Sequence, residues 1–600
     1  MRLKKLTNNK WFKRLVLPLL VLLFLILITA LVINFIFSPV LSTQLKKTVL
    51  RLSNGLYQAD FSESNLYIVS GRIIVDNLVL KPDTAVFNHL KKEGKAPNNL
   101  YTLRVDRIVL KRFHPFRLYF KKELNVDDIV VSQPSVQVMY QELRNHDLPD
   151  SGKKTIYQRI AGTLKSVHVG HILLNNIDLY YHEDFNHRIK NKHLKEMDIK
   201  ATDLLIDSSS QNDKSRFNFC KDITAVLNNY NGDTADSLYH YEARSVTFSS
   251  SRSSITMANA VFMPLKTVTD SVKPSASNGT FKLETDSICI DHFNYKAFFN
   301  YRNFIASDIT VYGKSMNVFY DRTLSPRPID SVKNGLYDLL KNVHSDIAVR
   351  TLRLKDIDLI YTEVSAKTKL RGAITFEQLN GSINNITTGN DTFKTNRKLS
   401  ASLTANLMGY GKLNLNLDFD PADPKSLLYY KGSLGIMNLV NLNPATKSLG
   451  LIQFTNGIVT NLSFDMQASA EKVTGKVAFL YRDLNVVLLK QDEKNALRRM
   501  SFISILANAI VLIRNNPTYN NPPRVATVVY QRPENVSYLG SLWWSVCSGI
   551  KESIGLSAEI EQELRQKLTD YKQHKEERES KKASRQDRRR ARRLKRHLRN

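Results

Sequence analysis

Apolar and polar residues alternate along much of the chain between residues 57 and 490. One run carries an apolar residue at every second position from Leu413 to Phe419, and another does so from Val477 to Tyr481. Because successive side chains of a strand point to opposite sides of the sheet, this period of two is typical of a sheet with one apolar face and one wet face. The pattern therefore predicts a mainly β fold with short helices.

The chain also contains a duplication. Asp106–Tyr140 aligns with Asp286–Tyr320 at a constant offset of 180 and without a gap, and the alignment gives nine identities. The same offset carries residues 177–179 onto 357–359, and both segments read Ile-Asp-Leu. Chance seldom keeps register over such a distance, so a search for repeats identifies a duplicated structural unit.

Two tandem β units follow from this duplication, the first repeat at 57–206 and the second repeat at 239–386. Each repeat covers the open sheet end of its neighbour, as in other stacked repeat architectures. The expected result is an elongated, curved, solenoid-like sheet whose inner face is a continuous apolar groove. A short helix is also predicted near 113–122, between two strands of the first repeat.

The chain beyond the repeats divides into three further segments. Residues 398–490 form a third β segment, and residues 493–556 contain apolar and amphipathic helical or strand elements, including a helix predicted over 538–554. Within them, Met500–Ile513 is nearly all apolar but too short to cross a bilayer, so it suits a buried or interfacial element. Residues 557–600 form a charged helix and a basic tail.

The N-terminal segment predicts a membrane anchor. Residues 15–37 are apolar apart from a few positions, and as a helix they would extend about 34 Å, which is enough to cross a hydrocarbon core. A cleaved signal peptide is the alternative, but its apolar region would be shorter and would end at a small-residue cleavage site. Residues 1–14 hold six basic residues and no acidic one, which predicts a cytoplasmic N-terminus and a body beyond the membrane.

The net charge of +30 is concentrated at the two ends of the chain. Residues 1–14 and 581–600 carry more than half of it, so the remaining body is only mildly basic. At 600 residues and 42% hydrophobic content, the chain is too long for one small domain and too apolar to be disordered throughout.

Few residues suggest covalent chemistry. Five histidines occur from His168 to His193 beside acidic residues, a composition that suits a metal or acid–base site, but the aligned segment 347–369 of the second repeat has none. A solvated cluster is therefore the favoured interpretation. The sequence contains no phosphate-binding loop, nucleophile elbow or zinc-binding histidine pair. We therefore expect no enzyme activity, no metal, no cofactor and no small-molecule substrate.

The three cysteines, Cys220, Cys289 and Cys547, are far apart in the sequence. An odd number excludes a complete intramolecular disulfide framework, although Cys220 and Cys289 allow one bond. Three isolated thiols in apolar stretches are the favoured interpretation, and no cysteine spacing indicates a zinc site.

The arginine-rich tail has three interpretations. A nucleic-acid arm would need cytoplasmic exposure, which a single membrane span denies it, so we expect no nucleic-acid partner. The tail is then either a patch for anionic lipid headgroups or a solubilising segment. The headgroup candidates are Arg588, Arg589, Arg590, Arg592 and Arg593.

With these segments in place, the chain resembles the AsmA-like family of Gram-negative envelopes. The resemblance rests on the N-terminal anchor, the strand series 57–82, the alternating segment 105–138, and residues 475–486, which are similar to the C-terminal part of that family. Lys314 departs from the pattern, because it stands where Pro134 stands in the first repeat. The arginine-rich tail is not a feature of the family pattern.

The resemblance implies a bacterial inner-membrane protein with one span, a cytoplasmic N-terminus and a periplasmic body that forms a hydrophobic β groove. Such proteins are associated with phospholipid transport between membranes and with outer-membrane integrity. The expected function is to bind or conduct phospholipids, with membrane lipids as the main partners and envelope proteins as further ones. The predicted lining residues are Leu413, Leu415, Leu417, Phe419, Val477, Phe479 and Tyr481.

A structural scaffold for envelope or outer-membrane assembly factors is the alternative function. In that case the same apolar faces would be closed cores with no lipid between them. The two functions differ in an observable property, namely whether the purified protein carries phospholipid.

Overall fold

The structure, a computed structural model, describes most residues of 53–141, 156–265, 279–323, 347–388, 398–499 and 513–555, with isolated positions and short runs of 43–51 and 566–591. These residues form a mainly β structure with 23 strands and a few short helices, as the alternation predicts. Antiparallel and parallel strand pairs both occur.

No helix within those described ranges is long and apolar enough to cross a membrane. The basic segment 1–14 and the predicted span at 15–37 lie outside the described residues, as do residues 500–512.

The elements follow one another along the chain with these bounds. The first twelve strands are β1 (Tyr57–Asp60), β2 (Glu63–Tyr67), β3 (Arg72–Pro82), β4 (Asn99–Phe113), β5 (Glu123–Ser132), β6 (Ser135–Gln141), β7 (Ser166–Phe185), β8 (Arg188–Ile206), β9 (Cys220–Asp233), β10 (Tyr239–Ser249), β11 (Ser254–Pro264) and β12 (Gly279–Asp291). The others are β13 (Phe304–Asp321), β14 (Ile347–Val364), β15 (Arg371–Thr387), β16 (Leu399–Leu407), β17 (Gly411–Phe419), β18 (Leu428–Leu434), β19 (Met437–Asn438), β20 (Ile452–Ala468), β21 (Lys472–Gln491), β22 (Leu497–Arg499) and β23 (Val525–Gln531). The helices are α1 (Thr84–Lys92), α2 (Pro115–Lys121), α3 (Ile156–Ile160), α4 (Asn443–Gly450) and α5 (Tyr538–Ser553), with 3-10 turns at Ser210–Asn212 and Leu439–Leu442.

The chain divides into two compact units that do not follow the repeat boundaries. Unit 1 contains the first repeat and part of the second, and unit 2 contains the rest of the second repeat and the C-terminal segments. Unit 1 comprises Met1–Thr234, His240–Val261 and Ser287–Lys296, and unit 2 comprises Ala235–Tyr239, Phe262–Asp286 and Ala297–Asn600.

Unit 1 is built around long paired strands. Strands β1 and β2 both pair with β3, which pairs with β4, and β4 in turn pairs with both β5 and β6, all antiparallel. Strands β5 and β6 then pair with β7 in parallel, and β7 to β10 continue as antiparallel neighbours. The long strand β7 therefore joins the two halves of unit 1 through a parallel pairing.

The break between β5 and β6 has a local cause. Gln133 has a positive φ of 48°, and Pro134 has no backbone N–H to donate to a neighbouring strand. The carbonyl of Pro134 still accepts from Asp178 N at 2.9 Å, so the two strands stay on the same partner. In the second repeat Lys314 occupies the proline position, and β13 runs through it without a break.

The duplication in sequence is also a duplication of sheet register. In the first repeat Val126 of β5 pairs with Val169 of β7, in parallel. In the second repeat Ala306 of β13 pairs with Val349 of β14, also in parallel. These four residues are related by the same offset of 180 that aligns the sequences. The β-bulges also correspond between the repeats. In the pairing of β7 with β8 the register shifts on both sides of Ile177, between Leu174 and Leu179. In the pairing of β14 with β15 it shifts on both sides of Ile357, between Leu354 and Leu359.

Unit 2 continues from that parallel pair as an antiparallel series. Strands β14 to β18 pair in order, β18 and β19 both pair with β20, and β20 pairs with β21. Strands β22 and β23 both pair with β21. Helix α5, predicted over 538–554, packs against β21 and β23, and α4 packs against β15 and β20.

Each unit contains one closed hydrophobic core among its described residues. The N-terminal core of unit 1 contains Phe61, Ile73, Val75, Phe113, Val126 and Val169. The larger C-terminal core of unit 2 lies where the helices cover the sheet, and its members include Phe419, Leu428, Tyr430, Val459, Met466, Val473, Val477, Phe479, Tyr481 and Val546.

Gly313 packs closely against the bulge of the second repeat. A Cβ at this position would lie 2.8 Å from Cα of Ile357, the bulge residue, which is 3% exposed. We expect Gly313→Ala to lower the free energy of unfolding by about 1–3 kcal/mol, because backbone atoms must move to admit the methyl group. The measurement is chemical unfolding followed by circular dichroism.

Gly435→Ala is the matched control for that substitution. A Cβ at Gly435 would meet its nearest atom, the carbonyl oxygen of Lys412, at 3.7 Å, so the methyl group fits. Equal destabilisation by the two substitutions would contradict the close packing of Gly313 on the bulge.

Candidate functional site

One side of the unit 2 sheet carries apolar side chains in rows that cross the strands. Partner residues in adjacent strands stand side by side, so a row takes one residue from each strand. The central row is Ile309, Leu352, Ile383, Ala401, Leu417, Tyr430, Met466, Gly475 and Val528, one from each of β13 to β18, β20, β21 and β23.

The neighbouring row on the same side is also apolar. It lies two residues further along each strand, and side chains two apart point the same way. Its members are Val311, Leu354, Gly381, Leu403, Leu415, Gly432, Phe464, Val477 and Ala526. We call these two rows the apolar face of unit 2.

The row between them, on the other side of the sheet, is polar in every strand. Its members are Thr310, Arg353, Ser382, Ser402, Asn416, Lys431, Asp465, Lys476 and Thr527. Lys431 Nζ lies 3.0 Å from Asp465 Oδ2, and both side chains are largely exposed. From β16 to β23 every member of this polar face of unit 2 is exposed, whereas Thr310 on β13 is buried.

All seven predicted lining residues lie on the same side of the sheet as the apolar face of unit 2, and Leu415, Leu417 and Val477 belong to its two rows. Leu415 and Val477 belong to the same row, and Phe479 and Tyr481 continue the series along β21, opposite Leu462 and Val459. Leu413, Leu417 and Phe419 follow one another on β17 at the spacing of one face. The period of two in the sequence thus identifies side chains that the fold brings onto one surface.

The covering of that surface is uneven. Phe419 is 1% exposed, Val477 is fully buried, and Phe479 and Tyr481 also belong to the C-terminal core. Helix α5 lies over β21, since a Cβ on Gly549 would come within 2.5 Å of Val477 Cβ. These four side chains form a closed core.

The three leucines of β17 mark the edge of the closed region. Leu413 and Leu417 are half-buried and pack against the C-terminal core, whereas Leu415 is half-buried and belongs to neither core. The same holds for Ile309, Leu352, Ile383 and Leu403, which continue the apolar rows across β13 to β16. We call these five side chains the open part of the apolar face.

Unit 1 carries an apolar row of the same kind. It consists of Val75, Ile108, Val131, Leu174, Ile199, Ala225 and Phe248, from β3, β4, β5 and β7 to β10. From Leu174 onward these side chains are half-buried and outside the N-terminal core. On the other side of β8 to β10 the partners Lys200, Thr224 and Ser249 are polar, so this part of the sheet also has one apolar face.

An ion pair that the sequence pattern did not predict, between Arg322 and Glu363, lies at the end of β14. Arg322 Nε lies 2.8 Å from Glu363 Oε1, and the hydroxyl of Tyr361 donates to Glu363 Oε2 at 2.7 Å. The Arg322 guanidinium also lies 5.8 Å from the ring of Trp544 in α5. Burial leaves Glu363 8% exposed, so this ion pair neutralises a carboxylate beside the covering helix.

The remaining candidates from the sequence are the histidines, the cysteines and the arginines of the tail. His168 pairs with Asp203 at 3.0 Å and His171 with Asp128 at 3.3 Å, and each aspartate also binds an arginine, Arg216 and Arg112 respectively. Within the described ranges no group of three or more His, Cys, Asp or Glu side chains converges as metal ligands. The three cysteines are free thiols. Arg588 is exposed in a helical stretch at 581–588, and Arg589, Arg590, Arg592 and Arg593 lie outside the described residues.

Comparison of the chain with protein-family models and with curated proteins gives no match. The function of this chain is therefore inferred from its sheet and its side chains.

The buried tyrosines of the C-terminal core have perturbed ionisation. Burial raises the pKa of Tyr430 to about 12, and its hydroxyl lies 2.7 Å from Ser545 Oγ of α5. Burial likewise raises the pKa of Tyr481 to about 12, and its hydroxyl donates to the carbonyl of Ile513 at 2.8 Å. The neutral phenols are the forms that this core accommodates.

The C-terminal core should lose stability in alkaline solution. A raised pKa in the folded state means that the stabilisation is complete below the ordinary tyrosine pKa of about 10 and is lost as pH rises toward 12. We expect Tyr430→Phe to make the unfolding free energy fall less steeply between pH 10 and 12, by up to about 1.4 kcal/mol for each pH unit. Denaturant titrations at a series of pH values measure this slope.

Tyr410→Phe is the control, because Tyr410 is 68% exposed. Its substitution should leave the alkaline slope unchanged. If the slopes of both variants match that of the unmodified chain, Tyr430 does not titrate from a buried, neutral state.

Proposed function

We propose that this chain is a membrane-anchored envelope protein whose apolar β groove binds phospholipids and conducts them between membranes, in support of outer-membrane integrity. The observation that carries the proposal is the open part of the apolar face of unit 2. There, in-register apolar side chains stay half-buried although the same rows become a closed core a few strands further on. An acyl chain laid on them would be removed from water at about 25 cal/mol per Å² of apolar surface.

The dimensions of the open part suit an acyl chain. Neighbouring strands are about 4.8 Å apart, so the open part, from Ile309 on β13 to Leu415 on β17, extends about 19 Å. Two leaflets share a hydrocarbon core of about 30 Å, which gives an acyl chain a length of about 15 Å. The polar face of unit 2 remains available to water on the other side of the sheet.

The proposal also includes a membrane anchor, an elongated groove and passive transfer of lipid. The predicted span at 15–37 would hold the chain in the inner membrane with a cytoplasmic N-terminus and a periplasmic body. The groove would be elongated because the apolar rows recur in both repeats. Transfer along such a face needs no covalent step, so lipid would move down its own concentration gradient unless a partner protein couples it to energy.

A second candidate function is a structural scaffold for envelope or outer-membrane assembly factors. The observation that favours it is the burial of Phe419, Val477, Phe479 and Tyr481 in a closed core, which leaves no room for lipid at those positions. Under this alternative the open part would be covered by a protein partner.

Leu415→Glu separates the two functions. Leu415 lies in the open part, so a carboxylate there would face any bound acyl chain, and its desolvation should lower bound lipid about tenfold or more. The measurement is the phospholipid that co-purifies with the full chain, quantified by mass spectrometry, together with uptake of a labelled phospholipid. Circular dichroism verifies that the variant is folded.

Asn416→Glu is the matched control, because Asn416 is the next residue of β17 and lies exposed on the polar face. Both variants keep the N-terminal segment, so lipid held around an anchor is the same in each. If the unmodified chain and the Asn416→Glu variant both carry no phospholipid and take up none, the lipid groove is refuted and the scaffold function remains.

A further inference from the structure

Helix α2 exposes three large aromatic side chains side by side. Phe116 is 73% exposed, Tyr119 is 81% exposed and Phe120 is 74% exposed. Of the apolar residues in this helix, Leu118 is the one that packs against the N-terminal core. Single exposed apolar residues are common on proteins, but three aromatic rings on one short helix form a patch that usually marks an interaction surface.

Basic residues flank these rings in the sequence. Lys111, Arg117, Lys121 and Lys122 are exposed, and none of them forms an ion pair with a described residue. Residues 111–122 contain no acidic residue. The fifth cation, Arg112, is neutralised by Asp127 and Asp128 behind the helix. We call the three aromatic and four unpaired basic residues the aromatic tip.

The backbone holds the aromatic tip in place. Pro115 stands at the start of α2, and Lys122 ends it in the left-handed conformation with its N–H bonded to Leu118 O. Phe113, just before the helix, is buried in the N-terminal core. The carbonyl of Lys122 accepts from Lys165 N at 2.8 Å. Exposure of the rings is therefore imposed by a fixed turn.

The second repeat differs in sequence at the same place, because Lys296 and Asn300 align with Phe116 and Phe120, while Phe299 aligns with Tyr119. Phe293 aligns with Phe113 and is likewise buried, but the next aromatic residue, Tyr295, packs inward. Its ring lies 4.6 Å from that of Phe217 and 5.6 Å from that of Phe248. The sequence therefore does not repeat the cluster of three aromatic residues, which belongs to the first repeat.

We propose that the aromatic tip is a membrane-contact site that inserts its rings into the interfacial region of a bilayer containing anionic phospholipids. Aromatic rings flanked by lysine and arginine favour that region, where the rings leave water and the cations meet lipid phosphates. The charge of the patch is complementary to such a surface and has one sign throughout. The site does not require lipid on the apolar face, so it stands apart from the groove.

A photoreactive residue at the tip tests the contact. In full-length protein reconstituted into vesicles of phosphatidylcholine and phosphatidylglycerol, p-benzoylphenylalanine replaces Tyr119 or, as the control, the exposed Tyr410. We expect a lipid adduct by mass spectrometry at position 119 and none at position 410. Vesicles of phosphatidylcholine alone should give at least about fivefold less adduct, because the basic residues lose their partners.

A charge variant provides the second arm. Arg117→Gln with Lys121→Gln, which keeps good helix formers in α2, should lower the adduct at position 119 by at least about fivefold. Lys412→Gln with Lys476→Gln, at exposed positions of unit 2, should leave it unchanged.

The products distinguish the alternatives. An adduct at position 119 with a protein partner or with a second copy of the chain, in place of lipid, would overturn the proposal, and so would floated protein that gives no adduct. Flotation of the vesicles reports the anchor separately. A chain that fails to float refutes both the proposed span at 15–37 and the membrane contact.

Discussion

Strand register is the constraint on which this structure depends. Leu352, Ile383 and Ala401 stand side by side in adjacent strands, while their polar neighbours stand side by side on the other side of the sheet. Because side chains alternate strictly, a slip of one residue in β17 would bring Asn416 in place of Leu417 beside Tyr430. A buried amide without a partner costs about 1–3 kcal/mol, and each further strand would add to that cost. The backbone ladder thus maintains the separation of apolar and polar surfaces.

The same apolar face serves two purposes along unit 2. Under α5 it forms a dry core, where Val477 touches the helix at Gly549 and Tyr430 is hydrogen-bonded to Ser545. Beyond Leu415 it lacks that cover, and its side chains keep contact with solvent. The closed end buries apolar surface and so stabilises the sheet. An assignment of function from apolar residues alone would treat both ends alike.

The sequence contained enough information for the strands but not for what covers them. The alternation of 413–419 and 477–481 predicted β17 and part of β21 and placed their side chains on one face, because this depends only on neighbouring residues. The short helix near 113–122 and the helix over 538–554 were also predictable from local pattern. The position of α5 over Val477 was not, because it depends on contacts between distant parts of the chain. The same is true of the Arg322–Glu363 pair, whose members are far apart in sequence and carry no motif.

The parallel pairings of β5 with β7 and of β13 with β14 join residues that are far apart along the chain, which bears on how the sheet assembles. Hairpin partners such as Leu407 and Gly411 are close in the chain and meet quickly, whereas Val126 and Val169 must close a much longer loop before they meet. We therefore expect the hairpin pairings to form before the parallel pairs, which then join strands that already have a register. Until that joining occurs, the facing edges of β5 and β7 present unpaired backbone groups, which are the places where a growing chain of this kind is most exposed to pairing with another.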